Sequence, residues 1–224
     1  MPDKIEKIAF FDFDDTICRG DSILPYLLYC IKRGYAPWTQ LFRAVWGYLG
    51  WRINPQKARR AKTLTLSFIR GRAVAEMDAL GLDFLRQYVA KRCFPEARAE
   101  LERLKAQGYR IVVVTASPSV YMRMLTKVLP VDDVIATPCL YHPHHLTYDG
   151  DIGENVKGAE KVRLIHVRFG YIEVPFPPLP DGRAYGDSLS DAPMLELVGH
   201  PTLVNPKKAL IERVPNAERV SWHL

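Results

Sequence analysis

Short apolar runs that stop abruptly at polar residues recur along the chain. The first covers residues 7–11 and ends at Asp12, and the second covers residues 111–114 and ends at Thr115. Runs of this length without polar alternation are typical of strands buried on both faces of a parallel sheet. Further strands are predicted at residues 134–135, 183–185 and 202–204.

Helical periodicity separates these predicted strands. It predicts an amphipathic helix over residues 95–107, closed by Gly108, and another over residues 118–129. For the second helix, Ser117 is the predicted N-cap and Pro118 the first helical residue. Strands that alternate with helices predict an α/β fold, here a Rossmann-like parallel sheet with helices on both faces.

Two segments interrupt this alternation. Residues 21–91 have helical periodicity and few strand signals, so we expect a helical cap domain inserted after the first strand. Residues 1–20 and 92–224 then form the α/β core domain. Residues 136–152 predict a small β-hairpin flap, and the four prolines within residues 174–182 predict a loop.

Composition places the chain among globular proteins and excludes a disordered tail, a fibrous repeat and a disulfide-stapled miniprotein. It is 48% hydrophobic and 25% charged, and its formal net charge of +6 favours anionic partners. None of the four cysteines forms a C-x-x-C pair, which predicts reduced thiols. The charged start of the chain lacks the apolar segment of a signal peptide, and no apolar stretch reaches 18 residues. We therefore expect a cytoplasmic protein, with peripheral contact at the inner membrane surface as a further option.

Carboxylates and a hydroxyl follow three of the predicted strands. Asp12 and Asp14 follow the first, Thr115 ends the second, and Asp187 and Asp191 follow the strand at residues 183–185. If these strands are parallel neighbours, their polar side chains converge at one edge of the sheet. Four carboxylates in one cleft raise each other's pKa, and a divalent cation removes that repulsion. An all-oxygen ligand set favours Mg²⁺ over Zn²⁺.

The same residues resemble the motifs of the haloacid dehalogenase (HAD) superfamily. Asp12-Phe13-Asp14-Asp15-Thr16 matches the D-x-D-x-T signature, and residues 186–191 match the G-D-x-x-x-D motif. Thr115 at a strand end and a lysine upstream of residue 186 complete the order of motifs. The helical insertion after the first motif resembles the phosphoserine phosphatase-like (HAD-IB) branch. Within that branch the chain is similar to hydrolases of the phosphatidylglycerophosphatase C type.

The resemblance implies a phosphatase that forms a phosphoaspartyl intermediate. Asp12 would be the nucleophile, and Asp14 the general acid and then the base that activates water. Mg²⁺ would bind Asp12, the backbone carbonyl of Asp14, and Asp187. Asp191 would lie beside the metal or bind a metal-bound water.

The resemblance also implies groups that hold the phosphate. Thr115 and the Ala116 N–H would bind phosphate oxygens near the start of the following helix. The motif lysine is Lys161 or Lys157, and either would neutralise the nucleophile and the transferring phosphoryl group. Lys161 is preferred because it matches the G-x-E-K-V pattern of the HAD-IB branch, whereas Lys157 precedes a glycine, as in phosphoserine phosphatases.

Asp21 lies nine residues after Asp12. Phosphoserine phosphatases carry a glutamate at the corresponding place, which holds the amino group of the substrate. The resemblance therefore makes Asp21 a candidate for binding an amine. Its second interpretation is local, because an aspartate here can also cap a helix that begins near Ser22.

The insertion is strongly basic and rich in tryptophan. Residues 22–75 contain ten Lys or Arg, no Asp or Glu, and three of the four tryptophans. On a helical wheel, one face carries Trp38, Leu41, Phe42, Val45, Trp46, Tyr48 and Leu49, and the other carries Gln40, Arg43, Gly47 and Gly50. The apolar face either packs against the core of the cap, with the cations solvated, or docks on an anionic membrane. Single-stranded nucleic acid is a third partner for such a surface, which the neighbouring phosphatase motifs disfavour.

The functional prediction is a Mg²⁺-dependent hydrolase of a small phosphomonoester or of a phospholipid headgroup phosphate. Phosphotransfer to an acceptor other than water uses the same intermediate and stays open. A non-catalytic membrane- or nucleic-acid-binding module on a phosphatase fold is the other alternative. The intact carboxylates Asp12, Asp14 and Asp187 argue against it.

Overall fold

The computed structural model describes residues 7–170 and 179–224, so residues 174–178 of the predicted loop lie outside the described residues. Its strands are Ile8–Phe11 (β1), Arg110–Pro118 (β2), Asp133–Thr137 (β3), Cys139–His142 (β4), Thr147–Ile152 (β5), Leu179–Gly186 (β6), Val198–Val204 (β7) and Glu218–Val220 (β8). One parallel sheet has the order β3-β2-β1-β6-β7-β8, and β4 and β5 form a separate antiparallel hairpin.

The helices of the described residues lie between and beside these strands. They are Ile23–Lys32 (α1), Gln40–Ile53 (α2), Ala58–Leu66 (α3), Val74–Arg92 (α4), Pro95–Ala106 (α5), Ser119–Met122 (α6), Ala159–Arg168 (α7), Ala192–Leu195 (α8) and Lys208–Arg213 (α9). Short 3-10 turns occur at Pro55–Lys57, Ser67–Ile69, Leu125–Lys127 and Leu189–Asp191. No helix of the described segments combines the length and the apolar character needed to cross a bilayer.

Successive residues of the central strand pack into two different hydrophobic clusters. Ala9 and Phe11 join a cluster with α1, α4, α5 and α6, whereas Ile8 and Phe10 join a cluster with α7, α8 and α9. All four residues of β1 are buried because both faces of the sheet are covered. This arrangement confirms the predicted α/β fold with helices on both faces of a parallel sheet, and the small hairpin is also present.

The helices α1 to α4 form the insertion predicted after the first strand. Tyr26 of α1 lies 5.1 Å from the ring of Phe84 in α4 and 4.5 Å from that of Tyr121 in α6, measured between ring centroids. The insertion and the sheet therefore contribute to the same hydrophobic cluster. The division into residues 21–91 and the remainder stays a prediction.

The aromatic side chains of α2 are exposed, which contradicts one of the two main interpretations of its pattern. Trp46 is 74% exposed, and Trp38 and Phe42 are each 65% exposed, whereas Gln40 is buried. The interpretation that the aromatic face packs against the core of the cap is therefore wrong. Among the residues of that face, Leu41 is half-buried and packs against the core.

The polar and small residues of α2 explain this orientation. The Gln40 side-chain amide donates hydrogen bonds to the carbonyl oxygens of Leu64 (2.6 Å) and Thr65 (3.1 Å). A Cβ atom at Gly47 would lie 3.0 Å from the Cα atom of Ala61, so α2 and α3 approach closely at this point. A glycine permits the approach, and the larger apolar side chains of α2 remain on the outer side.

The segment after β2 also differs from its prediction. The helix α6 covers only Ser119–Met122, and a 3-10 turn follows, in place of one helix over residues 118–129. The strand β2 continues to Pro118 through a shift in register after Thr115. Ser117 consequently lies in the strand and is not the N-cap. The edge strand β8 was not predicted because its three residues are mostly polar.

Candidate active site

The site lies where the order of strands reverses. Phe11 of β1 is paired with Val113 of β2 on one side and with Tyr185 of β6 on the other. Asp12 comes one residue after Phe11, and Asp187 comes two residues after Tyr185. Ligands of open α/β sheets bind at such a point, beyond the carboxyl ends of the strands. The parallel register thus brings residues that are far apart in the sequence to one edge.

Lys161 lies between two buried carboxylates. Its Nζ atom is 2.7 Å from Asp12 Oδ1 and 2.6 Å from Asp191 Oδ1, and it donates a hydrogen bond of 2.7 Å to the carbonyl oxygen of Val114. The residue is 1% exposed. Burial opposes its charge, but the two carboxylates outweigh that effect and raise the pKa of the ammonium group. Lys157, the other candidate for the motif lysine, lies in the wall of the same cleft.

Three carboxylates form a compact cluster. One oxygen of each of Asp12, Asp187 and Asp191 lies within 4.8 Å of the others. Burial, with repulsion from neighbouring carboxylates, raises the pKa of Asp12 to about 6 and that of Asp187 to about 7. Burial acts in the same direction on Asp191, but Lys161 and hydrogen bonds from Ser188 hold its pKa below the usual value. An oxygen-only cluster with this unfavourable charge fits one Mg²⁺ ion.

The Asp14 carboxyl group lies in a separate hydrogen-bond network. Its Oδ1 atom accepts the N–H of Ser22 (3.0 Å), and its Oδ2 atom accepts the hydroxyl of Ser117. The Ser22 hydroxyl in turn is 2.9 Å from the hydroxyl oxygens of Ser117 and Tyr121. Burial, followed by the charge of Asp21, raises the pKa of Asp14 to about 8, although the bond from Ser117 opposes this. A raised pKa favours the protonated form that a general acid requires.

Thr115 and Ala116 lie at the carboxyl end of β2 and line the cleft. The Thr115 hydroxyl is buried and accepts the N–H of Ser117 at 3.0 Å. The carbonyl oxygen of Ala116 accepts hydrogen bonds from the hydroxyl of Thr137 (2.7 Å) and from Lys62. Because α6 is a single turn, its dipole adds little to any phosphate site here.

Asp21 has a local contact as well as a place in the cleft wall. Its Oδ1 atom accepts the N–H of Ile23 at 2.9 Å, an Asx-type contact just before α1, whose N-cap is Ser22 and not Asp21. Asp15 also makes a loop contact, since its Oδ1 atom accepts the N–H of Gly20 at 2.7 Å. Binding of an amine by Asp21 stays a prediction.

Sequence reasoning gave no role to Lys62, which reaches the cleft from α3. Its Nζ atom donates to the Ala116 carbonyl oxygen and to the side-chain oxygen of Asn155. Burial, with the charge of Lys157, lowers its pKa to about 8, against the opposing effect of Asp21 and other groups. Lys62, Lys157 and Lys207 line a cleft of about 230 Å³ together with the carboxylates. The local sequence does not single out Lys62, because it is one of ten cations in residues 22–75 and only the tertiary fold brings it to the cleft.

The family follows from comparison with known proteins. The sequence model of the haloacid dehalogenase-like hydrolases matches residues 9–196. The chain belongs to this family. It is 25% identical over 215 residues to phosphoserine phosphatase SerB1 of Mycobacterium tuberculosis, an alignment that covers 93% of this chain and 68% of that protein.

Solved structures of similar fold agree. A Bordetella pertussis Tohama I protein of unknown function aligns with a TM-score of 0.81 at 23% identity, over 97% of this chain and 99% of that chain. A phospho-aspartyl intermediate analogue of phosphoserine phosphatase aligns with a TM-score of 0.58 at 18% identity, over 96% and 93% of the two chains. The predicted HAD superfamily, its phosphoserine phosphatase-like branch and the prediction of a phosphatase are confirmed. The finer similarity to the phosphatidylglycerophosphatase C type stays a prediction.

Proposed function

We propose that this chain is a Mg²⁺-dependent phosphomonoester hydrolase that acts through a phosphoaspartyl intermediate on Asp12. The observation that carries the proposal is the contact of buried Lys161 with Asp12 and Asp191, beside Asp187. A carboxylate paired with a buried ammonium group keeps its negative charge, which a nucleophile requires. The Asp14 carboxyl group, whose pKa is raised by burial, is proposed to supply the proton for the leaving group.

The chemistry proceeds in two steps. An Asp12 carboxylate oxygen attacks phosphorus, the bond from phosphorus to the ester oxygen breaks, and Asp14 gives its proton to that oxygen. Asp14, now a carboxylate, takes a proton from water, which attacks the phosphoaspartyl group and releases inorganic phosphate. Mg²⁺ held by Asp12, Asp187 and the Asp14 backbone carbonyl, with Asp191 beside it, would offset the charge of the phosphoryl group.

Further residues would hold the substrate. Thr115 and the Ala116 N–H are proposed to bind phosphate oxygens, and Lys161 to offset their charge. The substrate is proposed to be a small phosphomonoester or a phospholipid headgroup phosphate, and Asp21 to bind an amine where the leaving group carries one. The reaction is proposed to take place in the cytoplasm.

Release of inorganic phosphate from a panel of phosphomonoesters, with Mg²⁺ and with EDTA, tests the proposal. The panel includes phosphoserine, sugar phosphates, and phosphatidylglycerophosphate and lysophosphatidate in mixed micelles. The substitution Asp12→Asn removes the nucleophile and is expected to lower the rate by about 10³-fold or more. Asp151→Asn, the same change on an exposed residue of the hairpin, is the matched control and is expected to keep the rate.

Two results contradict the proposal. One is phosphate release by Asp12→Asn at the wild-type rate, and the other is no release from any member of the panel by the folded wild-type protein. Consumption of ester in the presence of an added alcohol, without equivalent release of phosphate, would assign the same intermediate to a phosphotransferase.

A further inference from the structure

The outer side of α2 carries a continuous row of exposed apolar side chains, here called the α2 surface. Their exposed fractions lie between 50% and 84%. The α2 surface consists of Trp38, Phe42, Val45, Trp46, Tyr48, Leu49 and Ile53. Exposed apolar residues scattered singly are ordinary, but a contiguous group of this size marks a site of interaction.

The side of α2 opposite the α2 surface is packed against α3. Gln40 and Gly47 hold the opposite side of the helix against α3. On the outer side the rings of Trp38 and Phe42 pack against each other, with 5.6 Å between their centroids. The helix therefore presents its apolar side to the surroundings while its small and polar side holds it on the protein.

Unpaired cations flank the α2 surface. Arg52, Lys57 and Arg60 are exposed, and none of them forms an ion pair with a carboxylate in residues 7–170 or 179–224. Arg59, by contrast, pairs with Glu154 at 3.0 Å across to the hairpin side. Since residues 22–75 contain no acidic residue, the charge around the α2 surface is complementary to an anionic partner.

The composition of the α2 surface distinguishes a lipid bilayer from a second copy of this chain and from nucleic acid. A second copy of this chain in a two-fold contact would bring the same basic surface against itself. Single-stranded nucleic acid would stack on the aromatic rings, but the aliphatic side chains Val45, Leu49 and Ile53 offer no stacking. Tryptophan, aliphatic side chains and flanking arginine together suit the boundary between lipid headgroups and acyl chains. We propose that the α2 surface docks on an anionic lipid bilayer.

This docking places the cleft beside the bilayer. Gly47 of α2 contacts Ala61 of α3, and the next residue, Lys62, reaches the cleft. Packed helices lie about 8–10 Å apart, so one helix separates the docking surface from the phosphate site. The proposal goes beyond the proposed function and is tested without catalysis, so the two can fail separately.

Co-sedimentation with vesicles tests the docking. Wild-type protein is expected to bind phosphatidylcholine vesicles that contain phosphatidylglycerol, and to bind phosphatidylcholine alone much more weakly. The triple substitution Trp38→Ser, Phe42→Ser, Trp46→Ser is expected to lower the partition coefficient by more than about tenfold. The charge variant Arg52→Gln, Lys57→Gln, Arg60→Gln is expected to lose the preference for phosphatidylglycerol and the sensitivity to salt.

Matched controls separate docking from general hydrophobicity and charge. Tyr141→Ser removes an exposed ring from the hairpin, and Lys91→Gln with Lys208→Gln removes two exposed cations outside the α2 surface. Both controls are expected to bind as the wild type does. Circular dichroism and urea unfolding show whether the serine variant keeps its fold.

Several results would overturn the proposal. Vesicle binding that is absent in the wild type, or unchanged in the serine and glutamine variants, contradicts it. Self-association in sedimentation velocity that the serine variant abolishes, without vesicle binding, would assign the α2 surface to a second copy. Tight binding of a labelled oligonucleotide that both variants lose, again without vesicle binding, would assign it to nucleic acid.

Discussion

Lys161 shows how a single residue connects the electrostatics of the site to its stability. Its ammonium group is fully buried and would be very unfavourable alone, but it contacts Asp12 and Asp191 at 2.7 and 2.6 Å. Such a buried group adds little net stability when complete, because desolvation offsets the attraction. Removing one partner is costly, since it leaves the remaining charges buried and uncompensated.

The substitution Lys161→Met is therefore expected to lower the free energy of unfolding by about 3 kcal/mol in EDTA. The double substitution Lys161→Met, Asp191→Asn removes part of the remaining carboxylate repulsion and should recover part of this loss without recovering phosphate release. Urea unfolding and the phosphatase assay measure the two effects. A single variant as stable as the wild type would show that the contact is not a buried ion pair in solution.

Lys62 represents a different case, a half-buried cation with few compensating charges. Its pKa is lowered to about 8 by burial and by Lys157, with Asp21 and Asp14 acting against the shift. The unfolded chain, with an ordinary lysine pKa of about 10.4, therefore binds more protons than the native chain between about pH 8 and pH 10. The contribution of this group to stability rises with pH across that interval.

The substitution Lys62→Met removes this contribution. Compared with the wild type, the variant is expected to be more stable near pH 7, and this advantage should shrink as the pH approaches about 10. We also expect a higher KM for anionic substrates, because the cleft loses a cation. Urea midpoints of both proteins across this pH range provide the check, and a stability difference independent of pH would contradict the shifted pKa.

At the scale of elements, α4 reaches the site through its packing on α6. A Cβ atom at Gly81 of α4 would lie 2.9 Å from the Cα atom of Tyr121. The Tyr121 hydroxyl forms a hydrogen bond with the Ser22 hydroxyl, and the Ser22 N–H donates a hydrogen bond to the Asp14 carboxyl group. A displacement of Tyr121 therefore changes the hydrogen bonds around the proposed general acid.

Two glycine substitutions in helices should consequently have opposite signs. Gly81→Ala is expected to lower the free energy of unfolding by about 1–3 kcal/mol through overpacking against α6. Gly50→Ala in α2, where no atom lies within 4 Å of the added Cβ, is expected to raise it by about 0.5–1 kcal/mol through helix propensity. Chemical denaturation compares them, and a stabilised Gly81→Ala would contradict the close contact of α4 with α6.

The same scale shows what the pattern of residues could and could not predict. The strands β1 and β2 were predictable because strands buried on both faces leave continuous apolar runs. The wheel of α2 placed Gln40 and Gly47 together on one side, but periodicity does not indicate which side is turned inward. Gln40 and Gly47 determine which side of α2 faces α3. Gln40 donates hydrogen bonds to α3, and Gly47 has no side chain to prevent the close approach. Such information depends on the neighbouring helix and is absent from the local sequence.

At the scale of the whole molecule, the sheet collects the candidate site. Motif residues that end different strands could be predicted to meet, because parallel strands carry their carboxyl ends to one edge. The contributions of Ser117 and Lys62 could not, since one depends on the irregular end of β2 and the other on the docking of the insertion. The roles of the site residues remain predictions that the experiments above address.

The charge gathered at this edge makes the stability of the molecule depend on Mg²⁺ and pH together. The pKa values of Asp12 and Asp187 are raised to about 6 and about 7, mainly by burial. The native chain therefore binds more protons than the unfolded chain between about pH 4 and pH 7. Without the metal, the contribution of these groups to stability falls as the pH rises through that interval, and it stays low above pH 7.

Mg²⁺ binds the ionised carboxylates of the native chain and should restore that stability. At free Mg²⁺ about 100-fold above its Kd, the gain is about 2.7 kcal/mol, or about 5–10 °C in Tm. The gain should be large near pH 8 and small near pH 5, where protons compete with the metal. Asp187→Asn should raise the Tm in EDTA at pH 8 and abolish most of the Mg²⁺ response, whereas Asp151→Asn should change neither. Thermal unfolding of the three proteins with Mg²⁺ and with EDTA tests this, and an undiminished response in Asp187→Asn would place the metal elsewhere, because the proposed site would have lost a charged ligand.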